Sequence, residues 1–238
     1  MELRHFFKNV GLVALVLGSA TDLCAKSTRE QRDLIVLADM SDGVAEEYRW
    51  LYKFMEAASL SLTIENIGPS YRQVHYFAKQ ATLANYMGKL EELGGIAQVQ
   101  AIDTFVLLHG GPATLYFSDH AYNLSYLSNL VTGNRRIVPA KMHALYSTAC
   151  YAASHIPHFL KMGFKSASGA LAVNANGAFE YPVFVQYWPA GEAFGAALSK
   201  ANHLPGILIS DRYAKKMGHT DVNSRKQISG NLGLTIND

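Results

Sequence analysis

Four short apolar runs recur along the chain: Asp33–Met40 (DLIVLADM), Thr104–Leu108 (TFVLL), about Ala144–Ala149 and Ala167–Val173 (ASGALAV). Segments of helical period separate them. A strand that is apolar on both sides must be covered on both faces, which is the situation of a parallel sheet between helical layers. The pattern therefore predicts an α/β fold, a three-layer α/β/α sandwich with a mostly parallel sheet of about five to six strands. A further strand is expected at Leu60–Ile67, where apolar and polar residues alternate, and another at Gly206–Ser210. Helices are expected over Val44–Ser59, Ser70–Leu93, part of Ser118–Leu130, Ser154–Met162 and Tyr181–Asn202, the last broken near Pro189. In the first of these, Trp50, Leu51, Phe54, Met55 and Ala58 share one face at helical spacing and are expected to point inward. Ser41 or Asp42 is placed to cap it, and Gly94–Gly95 ends the second.

The first twenty-five residues stand outside this pattern. Arg4 and Lys8 precede an uncharged apolar run, VGLVALVLGSA, and small residues follow it. A basic start, a short apolar stretch and a small-residue exit describe a secretory signal peptide over residues 1–25, cleaved after Ala25 or Ala20. Residues 26–238 then form one domain, and the protein is exported, to a periplasm or beyond the cell. Thr21, Asp22 and Leu23 are not the small residues a lipid-attachment site places before its cysteine, so Cys24 is not read as a lipoprotein cysteine. Cleavage after Ala25 leaves Cys150 as the one cysteine of the mature chain, which excludes an internal disulfide.

Composition narrows the function. The chain has 21 Lys plus Arg against 19 Asp plus Glu, a net charge of +2. A nucleic-acid binder would carry a concentrated basic excess, and none is present. No membrane association is expected once the leader is removed. The glycine pairs form neither G-x-G-x-x-G nor a P-loop, and no G-x-S-x-G elbow supports a serine hydrolase.

The reactive residues sit at strand ends. In an open parallel sheet, sites form at the carboxyl ends of the strands. Thr104–Leu108 delivers His109, Gly110 and Gly111; Ala144–Ala149 delivers Cys150. Neighbouring strands lie about 4.8 Å apart, so both side chains can converge on one centre. A thiol becomes a nucleophile beside a base such as imidazole. The N–H groups of Gly110 and Cys150 are placed to meet an oxyanion.

The run IDTFVLLHGG (Ile102–Gly111), followed by YSTACYAAS (Tyr146–Ser154), resembles the caspase-like cysteine peptidases, the group of caspases, metacaspases, clostripain and gingipains. Gly191–Asn202 (GEAFGAALSKAN) also resembles the gingipain and clostripain branch, and the likeness spans roughly Asp33–Asn202. The resemblance implies a caspase-like sheet with strand order second-first-third-fourth-fifth. It implies Cys150 as nucleophile, His109 as general acid and base, Gly110 as an oxyanion-hole donor, a peptide or protein substrate, and neither metal nor cofactor for bond breaking. The sequence departs from the pattern around the cysteine. Basic-specific members place Asp two residues before it, where this chain has Thr148, and Tyr151–Ala152–Ala153 replaces the usual small glycine-containing stretch. Asp42 is a candidate specificity carboxylate, or else the helix cap. An exported cysteine peptidase working through a thioester acyl-enzyme is the leading expectation. A non-catalytic adaptor on the same scaffold, and another thiol amidase or acyltransferase, are its rivals.

His155 and His158, three apart, have a spacing that can hold a metal but lack an evident third ligand, so packing or solvent-facing roles are expected. His143 is expected to be structural. Tyr116, Tyr122, Tyr126 and Tyr151 lie near the cleft loops and suit either peptide binding or surface packing. Lys215–Lys216 and Arg225–Lys226 read as a solvated basic tail.

Overall fold

The computed structural model describes residues 27–238; the expected signal peptide and Cys24 lie outside the described residues. Eight strands and seven helices follow one another as β1 (Arg32–Asp39), α1 (Glu46–Leu62), β2 (Gln73–Ala78), α2 (Leu83–Gly95), β3 (Ala101–Gly111), β4 (Thr114–Tyr116), β5 (Ala121–Asn123), α3 (Leu124–Gly133), β6 (Met142–Ser147), α4 (Ile156–Met162), β7 (Ser166–Ala170), α5 (Gly177–Tyr187), α6 (Phe194–Ala201), α7 (Leu204–Lys216) and β8 (Lys226–Gly230). The sheet order is β2-β1-β3-β6-β7-β8. All pairs are parallel except β7 with β8, and β4 and β5 extend β3 as an antiparallel ribbon. The strand order expected from the sequence is thus present, with an added antiparallel edge.

The apolar strands are buried on both sides, as their composition requires. Ile35 and Leu37 of β1, Ile102 and Val106 of β3 and Leu145 of β6 pack under α2, α3 and α4. Leu34, Val36, Phe105, Leu107 and Tyr146 point to the opposite face, under α5 and α6. There Phe184 stacks on Tyr146 with ring centres 4.3 Å apart, and Trp188 is fully buried beside it. Among the described residues no helix is long and apolar enough to cross a membrane.

One carboxylate is sealed into this core. Asp103, near the start of β3, has no exposed surface. It accepts from His143 Nδ1 at 2.7 Å and from the Ala144 backbone N–H at 2.8 Å on the neighbouring strand. The Tyr71 hydroxyl donates to its other oxygen, and Trp188 Nε1 donates to that hydroxyl at 3.0 Å. His143 and Ala144 belong to β6, Asp103 to β3, Trp188 to the end of α5 and Tyr71 to the approach to β2, so the cluster ties these four segments together. His143 is structural, as expected.

Four local expectations are corrected. Leu60–Ile67 is not a strand: it completes α1 and continues as one wider helical turn. Ser59, Thr63 and Ile67 face inward at helical spacing, and the Thr63 hydroxyl donates to the Ser59 carbonyl at 2.7 Å. The second strand is instead Gln73–Ala78, inside the span expected to be helical; Val74, Tyr76 and Phe77 are β-formers, and helix begins only where Thr82 accepts from Asn85 N–H at 3.1 Å. Gly206–Ser210 lies inside α7, because a short apolar run is ambiguous by itself and Pro205 is well suited to a helix start. Finally, Ala45 is the cap position of α1, and neither Ser41 nor Asp42 caps it; Ser41 instead meets Glu56 through both backbone and hydroxyl.

The face of α1 is also rotated from expectation. Trp50 is 69% and Phe54 66% exposed, while Met55, Ala58 and Ser59 turn inward. The helix packs through its second half, and its first half stands over the carboxyl edge of the sheet.

Candidate active site

The site begins where β3 outruns its neighbour. The β1–β3 ladder ends at Asp39 opposite Leu108. The next residue, His109, therefore stands on the sheet's carboxyl edge, although β3 itself continues through Gly111 and turns back as β4. The His109 ring is partly buried and lies 5.6 Å from the ring of Tyr52 on α1. Its Nε2 is 2.7 Å from the carbonyl oxygen of Met40. A carbonyl only accepts, so Nε2 carries the proton and Nδ1 holds the free lone pair.

Cys150 follows β6 by three residues. The Thr148 N–H donates to Val106 O at 2.9 Å, which carries the chain past the end of the strand. Asn174 Nδ2 donates to Thr148 O at 2.8 Å. Tyr151 takes a left-handed conformation with φ +56°, so the chain bends sharply just after Cys150. The thiol accepts from the Asn174 N–H at 3.4 Å. Among the described residues, Cys150 Sγ and His109 share no hydrogen bond.

The two strand ends touch at Gly110. A Cβ placed there would lie 2.8 Å from Cys150 O, 3.0 Å from Ala149 Cβ and 3.1 Å from His155 Cε1. Only glycine permits that approach. Two further bonds lace the segments together: His155 Nε2 donates to Gly111 O at 2.8 Å, and the Ala113 N–H donates to Ser154 Oγ at 2.8 Å. The structure thus brings His109, Gly110 and Cys150 to one edge, as the sequence predicts. Asp42 lies exposed in the loop after β1.

Opposing influences act on the thiol. Burial pushes the Cys150 thiol above its usual range, while the Asn174 N–H and the charge of Lys226 pull it back. Lys226 is a correction to the sequence reading. It is not part of a solvated tail: its side chain is buried, with Nζ donating to Ser147 O and standing 3.3 Å from Glu180 Oε1. It sits on the antiparallel strand β8, which the sequence reading did not find. The signal was there in the alternation of Lys226–Gln227–Ile228, but it is short. Asn174 and Tyr52 have no sequence signal, because Asn174 reaches the site through the segment between β7 and α5 and Tyr52 through the packing of α1.

His155 serves the site from below. It is fully buried, donates from Nε2, and leaves Nδ1 with no partner. Burial lowers its pKa from the ordinary 6.5. The unfolded chain therefore takes up a proton that the folded chain resists. Stability from this group is present above about pH 6.5 and is lost as pH falls through and below that value. Denaturation midpoints between pH 7.5 and 5 should fall more steeply for the wild type than for His155→Gln, by up to about 1.4 kcal/mol per pH unit. Parallel curves would mean that His155 is not held neutral.

No family model matches the sequence, and no curated protein matches it. Among solved structures the chain is similar to caspase-1 from Spodoptera frugiperda, with TM-score 0.54 and 12% identity over 88% of this chain and 89% of that one. A secreted C11 cysteine protease from Bacteroides thetaiotaomicron, solved with an irreversible peptide inhibitor, aligns with TM-score 0.48 and 10% identity over 78% of this chain and 59% of the other. The likeness to caspase-1 is one of fold: the chain has a caspase-like α/β architecture.

Proposed function

We propose that this caspase-like fold carries an exported cysteine peptidase with Cys150 as nucleophile and His109 as its general acid and base. The contact between Gly110 and the Cys150 backbone carries the reading, because it puts the histidine-bearing and cysteine-bearing strand ends side by side on the sheet's carboxyl edge. The Met40 carbonyl, by holding Nε2–H, leaves Nδ1 as the basic nitrogen.

In the reaction the Cys150 thiol loses its proton to His109, and the sulfur attacks the scissile carbonyl carbon. The N–H groups of Gly110 and Cys150 face the oxyanion. The C–N bond then breaks, and His109 returns the proton to the leaving amine. The product is a thioester on Cys150. Water, giving its proton to His109, attacks it; the C–S bond breaks, the acid is released, and the proton on His109 returns to the Cys150 sulfur. The export assignment rests on the basic and apolar start of the sequence.

A non-catalytic adaptor is the competing reading, and the burial that raises the thiol's pKa favours it. Labelling of the purified protein with an electrophilic thiol probe at neutral pH separates the two. Cys150 should label rapidly, and His109→Ala should slow it roughly a hundredfold, the scale of one acid–base group. Slow labelling that ignores His109, in protein shown to be folded, removes the peptidase reading.

A further inference from the structure

A cavity of about 100 Å³ opens beside the candidate dyad, between α1 and α5. Its walls are Phe54, Met55 and Ala58 from α1 and Pro182 from α5, and Met40 and Thr148 follow the ends of β1 and β6. It adjoins the site directly: Thr148 stands two residues before Cys150, and Met40, also in its wall, holds His109 through its carbonyl.

The cavity offers a ligand almost nothing polar. The Ser59 hydroxyl donates to Glu56 O at 2.8 Å. The Thr148 hydroxyl meets Val106 O at 3.3 Å, and the Tyr181 hydroxyl is bonded to Thr63. The wall contains no charged side chain. Water in such a space finds too few partners, whereas apolar cavities of this order, about 150 Å³, accept benzene. At the rim, Phe54 is 66% exposed, a large apolar surface left uncovered at the mouth.

We propose that this cavity is the specificity pocket of the site, and that it receives an uncharged aliphatic side chain, of leucine or methionine size, from the residue whose carbonyl is presented to Cys150. The assignment rests on the peptidase reading, and it names the substrate class: peptides cleaved after an apolar residue. An Asp or Arg side chain entering the cavity would lose its hydration and find no counter-charge, so discrimination against both is large.

Binding and cleavage test this separately. Fluorescent blocked peptides ending in Leu, Asp or Arg are titrated against Cys150→Ala protein, and the matching amide substrates are offered to the wild type. Leu should bind at least tenfold more tightly than Asp or Arg. Ala58→Trp, which fills the cavity, should erase the difference. Met55→Ala, which enlarges the cavity without crowding the helix, should shift the preference from Leu toward Phe and covers the case in which Ala58→Trp does not fold. Equal binding of the three peptides, no binding of any, or wild-type cleavage after Asp or Arg would overturn the pocket assignment. Selective binding of Leu peptides with no hydrolysis of any substrate would leave the pocket standing and remove the peptidase.

Discussion

Cys150→Ala should hydrolyse no peptide at a measurable rate while remaining folded. Without the sulfur there is no thioester, and both halves of the reaction are lost. What persists is substrate positioning and the oxyanion donors, so a loss of about 10⁴-fold or more is expected, as when other nucleophilic residues acting in a unit are removed. The fold should tolerate the change. Cys150 is only partly buried, and the sulfur's one hydrogen bond is a long contact of 3.4 Å from the Asn174 N–H. The cost to stability is therefore about 1 kcal/mol or less. Hydrolysis of a peptide library, read beside circular dichroism and a denaturant midpoint for the same preparation, checks both halves. Turnover that survives in Cys150→Ala would place the chemistry elsewhere.

Asp103→Leu should strongly destabilise the fold. The carboxylate is fully buried and serves three donors: His143 Nδ1, the Ala144 N–H and the Tyr71 hydroxyl. Leucine has a similar shape but accepts nothing, so all three donors lose their partner where they are fully buried. Breaking a buried pair from one side costs about 3–5 kcal/mol, a large share of the roughly 5–15 kcal/mol that holds a domain together. The effect spreads because Trp188 donates to Tyr71 in turn, which links the loss to the stacked aromatic layer above the sheet. Equilibrium denaturation in urea gives the number directly. A loss under 1 kcal/mol would mean that the cluster contributes little. Asp103→Asn, which keeps an acceptor oxygen, should recover part of the stability.

Asp103 and Cys150 lie toward opposite ends of the same strand pair, β3 and β6. Asp103 fixes β3 against β6 near the start of both strands, and Gly110 meets Cys150 near their ends. Loosening the first is thus expected to disturb the second, and activity in Asp103→Asn is a sensitive readout of that coupling.

Much of this protein is legible in the amino-acid order. DLIVLADM and TFVLL are apolar on both sides, and only a strand covered by helices on both faces can bury such a run; β1 and β3 are interior strands of the sheet accordingly. His109 and Cys150 come directly after such runs, which is enough to put both on one edge. Elements whose burial is one-sided were less legible. β2 and β8 are at the sheet's two ends, so their patterns are short and partly polar, and a helical span absorbed the first while a basic tail hid the second. Tertiary structure alone decided the rest. It turned the His109 proton onto the Met40 carbonyl, buried Lys226 behind the cysteine and set Asn174 against the sulfur. It also closed an apolar cavity from residues of α1, α5 and two strand ends. Local periodicity records which face of a segment avoids water. It carries no record of which distant segment will supply the covering atoms, and every one of these features is a contact between distant segments.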